Sequence, residues 1–222
     1  MRLALFDLDH TLIPLDSDYA WGEFTVALGW RDAHSFSQAN DGFYADYKAG
    51  TLDIHRYVRF ATDAVREHGL AASLKAHQRF MREVIEPAMR EPARALLRRH
   101  QTAGDTVVIV TATNEFVTRP IAQAFGVNEL IAIELERDAH GEPTGAIRGT
   151  PSFREGKIAR VEQWLAARGL DWSRVQHSTF YSDSINDLPL LEKVHEPVAT
   201  NPDARLRAIA LERGWRTLNL FE

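Results

Sequence analysis

The segment Leu-Ala-Leu-Phe-Asp-Leu-Asp at residues 3–9 limits what this chain can fold into more than any other stretch. Apolar side chains fill positions 3, 4, 5, 6 and 8 without the alternation of a half-buried strand, so both faces must be covered. That pattern suits an inner strand of a parallel sheet. From residue 92 onward the rest of such a sheet can be read. Helices are expected over 93–102, 115–125 (closed by Gly126), 155–168 (closed by Gly169) and 186–193. Strands are expected over 106–112 and 178–182, with short strands near 197–200 and 215–220 bracketing a last helix. Residues 131–136 and 145–149 flank the turn-rich Asp-Ala-His-Gly-Glu-Pro-Thr and read as a hairpin. Strands alternating with helices imply an α/β fold with a doubly wound parallel sheet. In such sheets ligands bind beyond the carboxyl ends of the strands.

Between the first strand and this region the pattern changes. Residues 16–86 lose their β-branched runs and take up helical spacing. Asp18 is placed to cap a first helix carrying Trp21, Phe24, Val26 and Leu28, with Gly29 closing it. A second helix covers 35–48 with Phe36, Phe43, Tyr44 and Tyr47. Asp53 caps a third through Tyr57, Val58 and Ala61, and a fourth runs over 70–85 before Pro87. The reading is a helical insertion at 16–86 in an α/β core formed by 1–15 plus 87–222.

The 222 residues, 45% hydrophobic and 26% charged, are enough for a core with such an insertion. A net charge of -5 with no Lys/Arg run makes a nucleic-acid or membrane-surface partner a poor fit. No cysteine is present, which excludes thiolate metal sites and thiol nucleophiles. The apolar start is short and interrupted by Asp7 and Asp9, unlike a signal-peptide core or a membrane span. A cytoplasmic protein acting on a small molecule is expected, with its oligomeric state open.

Four features fall at expected strand ends. Asp7 and Asp9 close the first strand, and period two sets both carboxylates on one side. Two acids there are costly unless a cation or a proton compensates; alone, they also read as a loop-entry acid and a helix cap. Thr111 ends the strand Val-Val-Ile-Val-Thr-Ala-Thr, where a hydroxyl and the following helix N-terminus can hold a phosphate oxygen, and Asn114 offers the N-cap. Lys157 sits early in a helix, where it opposes the helix dipole, although a solvated surface lysine has the same look. Asp183 and Asp187, in Ser-Asp-Ser-Ile-Asn-Asp, follow the strand at 178–182. Carboxylates gathered in one crevice make a hard, oxygen-rich site suited to Mg2+.

In this order the four motifs resemble those of the haloacid-dehalogenase-like hydrolases. Phe-Asp-Leu-Asp-His-Thr-Leu is similar to the family's Asp-x-Asp-x-Thr motif, and the strand ending in Thr111, the lone Lys157 and the acidic Ser-Asp-Ser-Ile-Asn-Asp are similar to the other three. The helical insertion looks like a type 1 cap. The nearest resemblance is to the phosphoserine-phosphatase-like branch with its histidinol-phosphatase-like members.

The resemblance implies a phosphatase in which Asp7 attacks phosphorus and forms an aspartyl phosphate. Asp9 then protonates the leaving alcohol and later deprotonates water. Thr111 and Lys157 would bind phosphoryl oxygens. Mg2+ would be held by an Asp7 oxygen, the Asp9 main-chain carbonyl and Asp183, with Asp187 assisting or orienting. The substrate is expected to be a small phosphate ester. Near the first cap helix, Asp16, Asp18, Tyr19, Trp21 and Glu23 could hold an amine-bearing substrate or simply form an amphipathic helix. Asp16 stands roughly where phosphoserine phosphatases carry a glutamate, a departure that favours histidinol phosphate or another amino-alcohol phosphate. The motifs also serve phosphotransferases and mutases, and a non-catalytic binding module on the same fold is a further alternative. The nine histidines show no metal-ligand spacing; His10 is read as a lining residue with no assigned role, and the tryptophans as packing.

Overall fold

Leu3 and Leu5 point to one side of a sheet and Ala4 and Phe6 to the other, and all four are buried. The computed structural model describes residues 1–221. These leucines lie on β1 (Arg2–Phe6), the inner strand expected from the sequence. Its neighbours are β2 (Thr106–Asn114) and β6 (His177–Ser182), both parallel to it. With β3 (Glu129–Ile133), β7 (Glu196–Thr200) and β8 (Arg216–Leu218) the order is β3-β2-β1-β6-β7-β8, parallel throughout. Succession along the chain runs outward in both directions from β1, so the crevice beyond the ends of β1, β2 and β6 is the topological switch point.

The period of two carries through the neighbours. Val107 and Ile109 join one core cluster, and Val108 and Val110 the other. One face is covered by helices Glu91–Thr102 and Glu115–Ala124 through Leu97, Val117 and Ile121. The other is covered by Glu155–Ala166, Leu188–Lys193 and Ala204–Arg213 through Val161, Leu165, Leu190 and Leu206. Each such aliphatic side chain gains roughly 1.5–3 kcal/mol on burial, which is why both faces hold helices.

Between β1 and β2 the chain is helical. Its residues Trp21, Val58, Phe80 and Ile85 share one continuous hydrophobic cluster with Phe6, Ile109 and Val117 of the sheet and its helix. Several local expectations are corrected here. The first helix, Ser17–Ala27, is capped by Asp16 rather than Asp18: Asp16 has extended backbone and its Oδ1 accepts the N–H groups of Asp18 and Tyr19. The third helix covers Ile54–Ala61 with Asp53 at its cap, as expected, and a separate short helix, Asp63–His68, follows Thr62, whose hydroxyl bonds back to the Val58 carbonyl at 2.7 Å. The expected 70–85 helix is regular over Leu70–Phe80, then widens into a π-helical turn at Met81–Ile85 ahead of Glu86–Ala88. Pro87 has no N–H to give the carbonyl four residues back.

Two strand expectations also shift. The strand at 3–9 ends at Phe6, because the Leu8 carbonyl turns to accept the N–H groups of Thr11, Leu12 and Ile13 while His10 takes a left-handed φ of 56°. The strand at 131–136 is two elements: β3 closes the sheet edge, and β4 (Leu135–Arg137) leaves to pair antiparallel with β5 (Pro143–Ile147). The acidic segment after β6 forms a 3-10 turn, Ile185–Asp187, before the short helix that follows. Among the described residues no helix is long and apolar enough to cross a membrane.

Candidate active site

Asp7 leaves β1 with its N–H still bonded to the Tyr181 carbonyl of β6, at 2.9 Å. This holds its carboxylate at the carboxyl end of the two central strands. Lys157 reaches the same point from the first turn of helix Glu155–Ala166. Its Nζ donates to Asp7 Oδ1 and to Asp187 Oδ2, both at 2.7 Å. The ammonium is 2% exposed, so it serves the acids and not the solvent. Burial disfavours its charge, but Asp187 and Asp7 outweigh that and raise its pKa above the ordinary lysine range. Gly156, one residue earlier, has no room for a side chain: a Cβ there would lie 2.1 Å from the Pro151 carbonyl oxygen.

Asp187 is tied twice on the same oxygen, since Ser182 Oγ also donates to Oδ2 at 2.7 Å. Asp183 follows β6 and meets Thr11. The Thr11 hydroxyl donates to Asp183 Oδ1 at 3.1 Å, accepts the Asp183 N–H at 3.0 Å, and lies 3.4 Å from Asp7 Oδ2. Asp9 stands apart from this group. Its Oδ1 accepts the Ser17 N–H and its Oδ2 accepts the Thr113 hydroxyl, each at 2.8 Å. Burial, then Asp16, push its carboxyl up to about 6, with the Ser17 and Thr113 bonds pulling the other way. Thr111 is buried at the pocket floor, its hydroxyl accepting the Thr113 N–H at 3.1 Å, while its carbonyl accepts Ser152 Oγ at 2.6 Å.

One pocket joins Asp7, Asp9, Thr111 and Asp183, with Lys157 and Asp187 buried directly behind Asp7. Thr11, Thr113 and Ser182 were not singled out from sequence. Thr11 lies inside the Asp-x-Asp-x-Thr motif, and Thr113 shares the face of Thr111 by period two, so both carried a readable signal. Of the residues singled out near the first helix, Asp16 and Tyr19 line the pocket. Asp18 lies buried behind it, accepting from Asn114 Nδ2 at 3.2 Å, with burial first and Asp16 second pushing its carboxyl up to about 7. Trp21 packs into the aromatic cluster of Phe24, His77, Phe80 and Phe116, and Glu23 is exposed. Asn114 caps helix Glu115–Ala124 through Val117 N–H, as its position in the sequence indicated. His10 lines the pocket, its Nε2 buried without a partner among the described residues.

The ammonium of Lys157 thus holds Asp7 and Asp187, while Asp183 has no ion-pair partner among the described residues. Burial, opposed by Lys157 and aided by Asp187, pushes Asp7 up to about 7. Burial, then Asp7 and Asp187, carry Asp183 well above the usual carboxylate range. Among the described residues no three acid or histidine side chains gather in metal-holding geometry. Asp7 and Asp183 meet through Thr11, and Asp7 and Asp187 through Lys157. Mg2+ needs no more, since it keeps several waters and takes one or two carboxylates plus phosphate oxygens. The hard donors and uncompensated negative charge fit that ion.

Residues 4–192 match the family model described as haloacid dehalogenase-like hydrolase. The chain is 44% identical over 218 residues to the histidinol-phosphatase of Neisseria meningitidis serogroup C (strain 8013), covering 98% of each chain. It is 32% identical over 215 residues to phosphoserine phosphatase SerB1 of Mycobacterium tuberculosis, covering 96% of this chain and 68% of that one. A crystal structure of a protein of unknown function from Bordetella pertussis Tohama I is 48% identical and superposes with a TM-score of 0.93 over 99% of both chains. A substrate-bound phosphoserine phosphatase complex shares the fold, with a TM-score of 0.69 over 98% of this chain and 92% of that one at 16% identity.

Proposed function

From the premise that this chain belongs to the haloacid dehalogenase-like hydrolases, we propose that it is a Mg2+-dependent phosphatase of small phosphate monoesters acting through Asp7. The observation that carries this reading is the pair of bonds at Lys157: one ammonium holds Asp7 Oδ1 and Asp187 Oδ2. Asp7 Oδ2 is left toward the pocket side of Thr11, at the switch point of the sheet.

In this reading Asp7 is the nucleophile. Its oxygen forms a bond to phosphorus as the bond to the leaving alkoxide breaks, giving an aspartyl phosphate. Asp9, with a carboxyl near 6, is protonated in a useful fraction of molecules and gives its proton to the leaving oxygen. As the carboxylate it then takes a proton from water, which attacks phosphorus and releases Asp7. Thr113 and the Ser17 N–H hold Asp9 in place for both steps. Lys157 and the Thr111 hydroxyl bind phosphoryl oxygens, and Asp187 with Ser182 keeps Lys157 aimed. Mg2+ would be held by Asp7, Asp183 and the Asp9 main-chain carbonyl. When bound it neutralises charge on the phosphoryl group.

The leaving group enters the pocket formed with the helical insertion. Asp16 gives that pocket an anionic wall beside Tyr19, Phe43 and Tyr44, which suits a cationic alcohol. The 44% identity to a protein named histidinol-phosphatase supports histidinol phosphate as the ester to try first. The test is phosphate release from histidinol phosphate, phosphoserine, phosphoethanolamine, phosphocholine, sugar phosphates and nucleotides, with Mg2+ or a chelator, against Asp7→Asn. Release that needs Mg2+ and disappears in Asp7→Asn is expected. Substantial turnover by Asp7→Asn would refute the assignment of the nucleophile. Faster loss of ester when an alcohol acceptor is added would point to a phosphotransferase instead.

A further inference from the structure

Asn40 carries a side-chain amide nitrogen with nothing to bond. It lies on helix Ala33–Ala49, is 3% exposed, and is among the residues that line the pocket. Among the described residues its amide nitrogen has no hydrogen-bond partner. The other asparagines around the site are engaged. Asn114 bonds Asp18 and caps a helix, Asn186 donates to the Tyr47 carbonyl at 2.9 Å, and Asn201 donates to the His10 carbonyl at 2.8 Å. A buried carboxamide left unpaired is unfavourable and calls for a partner that arrives from elsewhere.

The surroundings say what kind of partner. Tyr19, Phe43, Tyr44 and Tyr57 line the same pocket, with Tyr19 and Tyr44 rings 5.7 Å apart and Phe43 and Tyr57 rings 5.4 Å apart. The Tyr19 hydroxyl is held by Asp41 at 2.8 Å, which fixes its ring. Asp16 commits Oδ1 to the helix cap, and its Oδ2 makes no hydrogen bond among the described residues. Flat apolar faces, one free anionic acceptor and one carboxamide, which both donates and accepts, complement a planar ring that carries polar nitrogen. An aliphatic ammonium would satisfy Asp16 and could lie against a ring face, but it would offer Asn40 no ring nitrogen.

We propose that Asn40 is a specificity-determining residue, hydrogen-bonding a planar nitrogen heterocycle in the leaving group while Asp16 takes the cationic or N–H edge. This rests on the phosphatase reading above and deepens it. Gly22 belongs to the same arrangement. A Cβ at Gly22 would lie 2.4 Å from Phe36 Cζ and in ordinary contact, 3.5 Å, with Asn40 Nδ2, so the absence of a side chain there seats Phe36 and lets Asn40 pack beside it.

The test compares kcat/KM for L-histidinol phosphate with that for 2-phenylethyl phosphate, whose ring has no nitrogen. Wild-type protein is expected to favour the heterocycle. In Asn40→Leu the ratio of the two should fall by about tenfold or more, carried by KM. Asn40→Asp keeps the shape and removes the N–H donor. It should lower the ratio if the amide donates to the ring and raise it if the amide accepts. Thermal melts identify folded variants. A ratio unchanged in the folded variants, or equal losses on both esters, overturns the proposal, as does wild-type protein with no preference. Asp7-dependent turnover of p-nitrophenyl phosphate is measured alongside. Its loss would remove the phosphatase reading itself, whereas its presence with an unmoved ratio removes only the role of Asn40.

Discussion

Lys157 Nζ and Asp7 Oδ1 lie 2.7 Å apart with both side chains buried, and the same ammonium holds Asp187. Lys157→Met keeps length and removes the charge, leaving two buried acids without their cation. Breaking a buried ion pair from one side costs about 3–5 kcal/mol, so urea unfolding should show a loss of that order. Removal of one charge-stabilising donor lowers turnover by roughly 10²–10³-fold. Wild-type kcat on p-nitrophenyl phosphate in a folded Lys157→Met would show that the lysine only balances charge.

Thr113 makes a second, subtler prediction. Its hydroxyl donates to Asp9 Oδ2 at 2.8 Å and favours the ionised carboxyl, whose value is already pushed up to about 6 by burial and Asp16. Thr113→Val keeps the shape and deletes the donor, so Asp9 should hold its proton to higher pH. The limb of the pH–rate profile governed by Asp9 should move alkaline, by about half a pH unit to one unit. A profile that drops in height without moving would mean that Thr113 serves packing alone.

How far the sequence reaches can be seen from these two residues. Asp7 and Lys157 sit at ends of elements whose periodicity is strong, and a parallel sheet sends such ends to one crevice. Position in the pattern therefore locates both. Thr113 is harder, because strand β2 runs past Thr111 to Asn114, and nothing local says which hydroxyl faces Asp9. The break after β3 is invisible for another reason: Ile131, Ile133 and Leu135 keep one apolar period through it, although the chain changes sheets at Glu134. Asp16 and Asp18 are equal as caps by residue type, and only backbone geometry chooses. Asn40 becomes notable only once its neighbours are known, since isolation of a polar group is a property of the fold and not of the chain.

His77 links the helical insertion to the core. It is buried on helix Leu70–Phe80, with Nε2 3.1 Å from the Val117 carbonyl of helix Glu115–Ala124. Burial, partly offset by that carbonyl, lowers its pKa from 6.5 to about 4. The folded state therefore binds this proton less readily than the unfolded chain. Its contribution is full above about pH 6.5 and is lost as pH falls toward 4, amounting to about 3 kcal/mol at roughly 1.4 kcal/mol per tenfold change in proton affinity. His77→Gln cannot titrate. Wild-type stability in urea should fall more steeply than that of His77→Gln between about pH 7 and pH 4.5. Parallel curves would show that the imidazole is not buried in its neutral form.

Arg154 supplies a test of backbone strain at the entry to the lysine helix. Its φ of 52° and ψ of -123° are glycine-like, and its carbonyl accepts the Lys157 N–H at 3.0 Å. The guanidinium packs against Gly50, where a Cβ would lie 2.8 Å from Nη2. Such a conformation in a residue with a Cβ costs about 1–3 kcal/mol, whereas glycine loses roughly 0.5–1 kcal/mol through its extra freedom when unfolded. Arg154→Ala and Arg154→Gly remove the same side-chain contacts, so their difference isolates the backbone. Arg154→Gly should be the more stable of the two by about 1 kcal/mol in urea unfolding, the reverse of the usual order. If the alanine variant is equally stable, the turn relaxes without cost, and the placement of Lys157 then rests on Gly156 and its close approach to Pro151 rather than on Arg154.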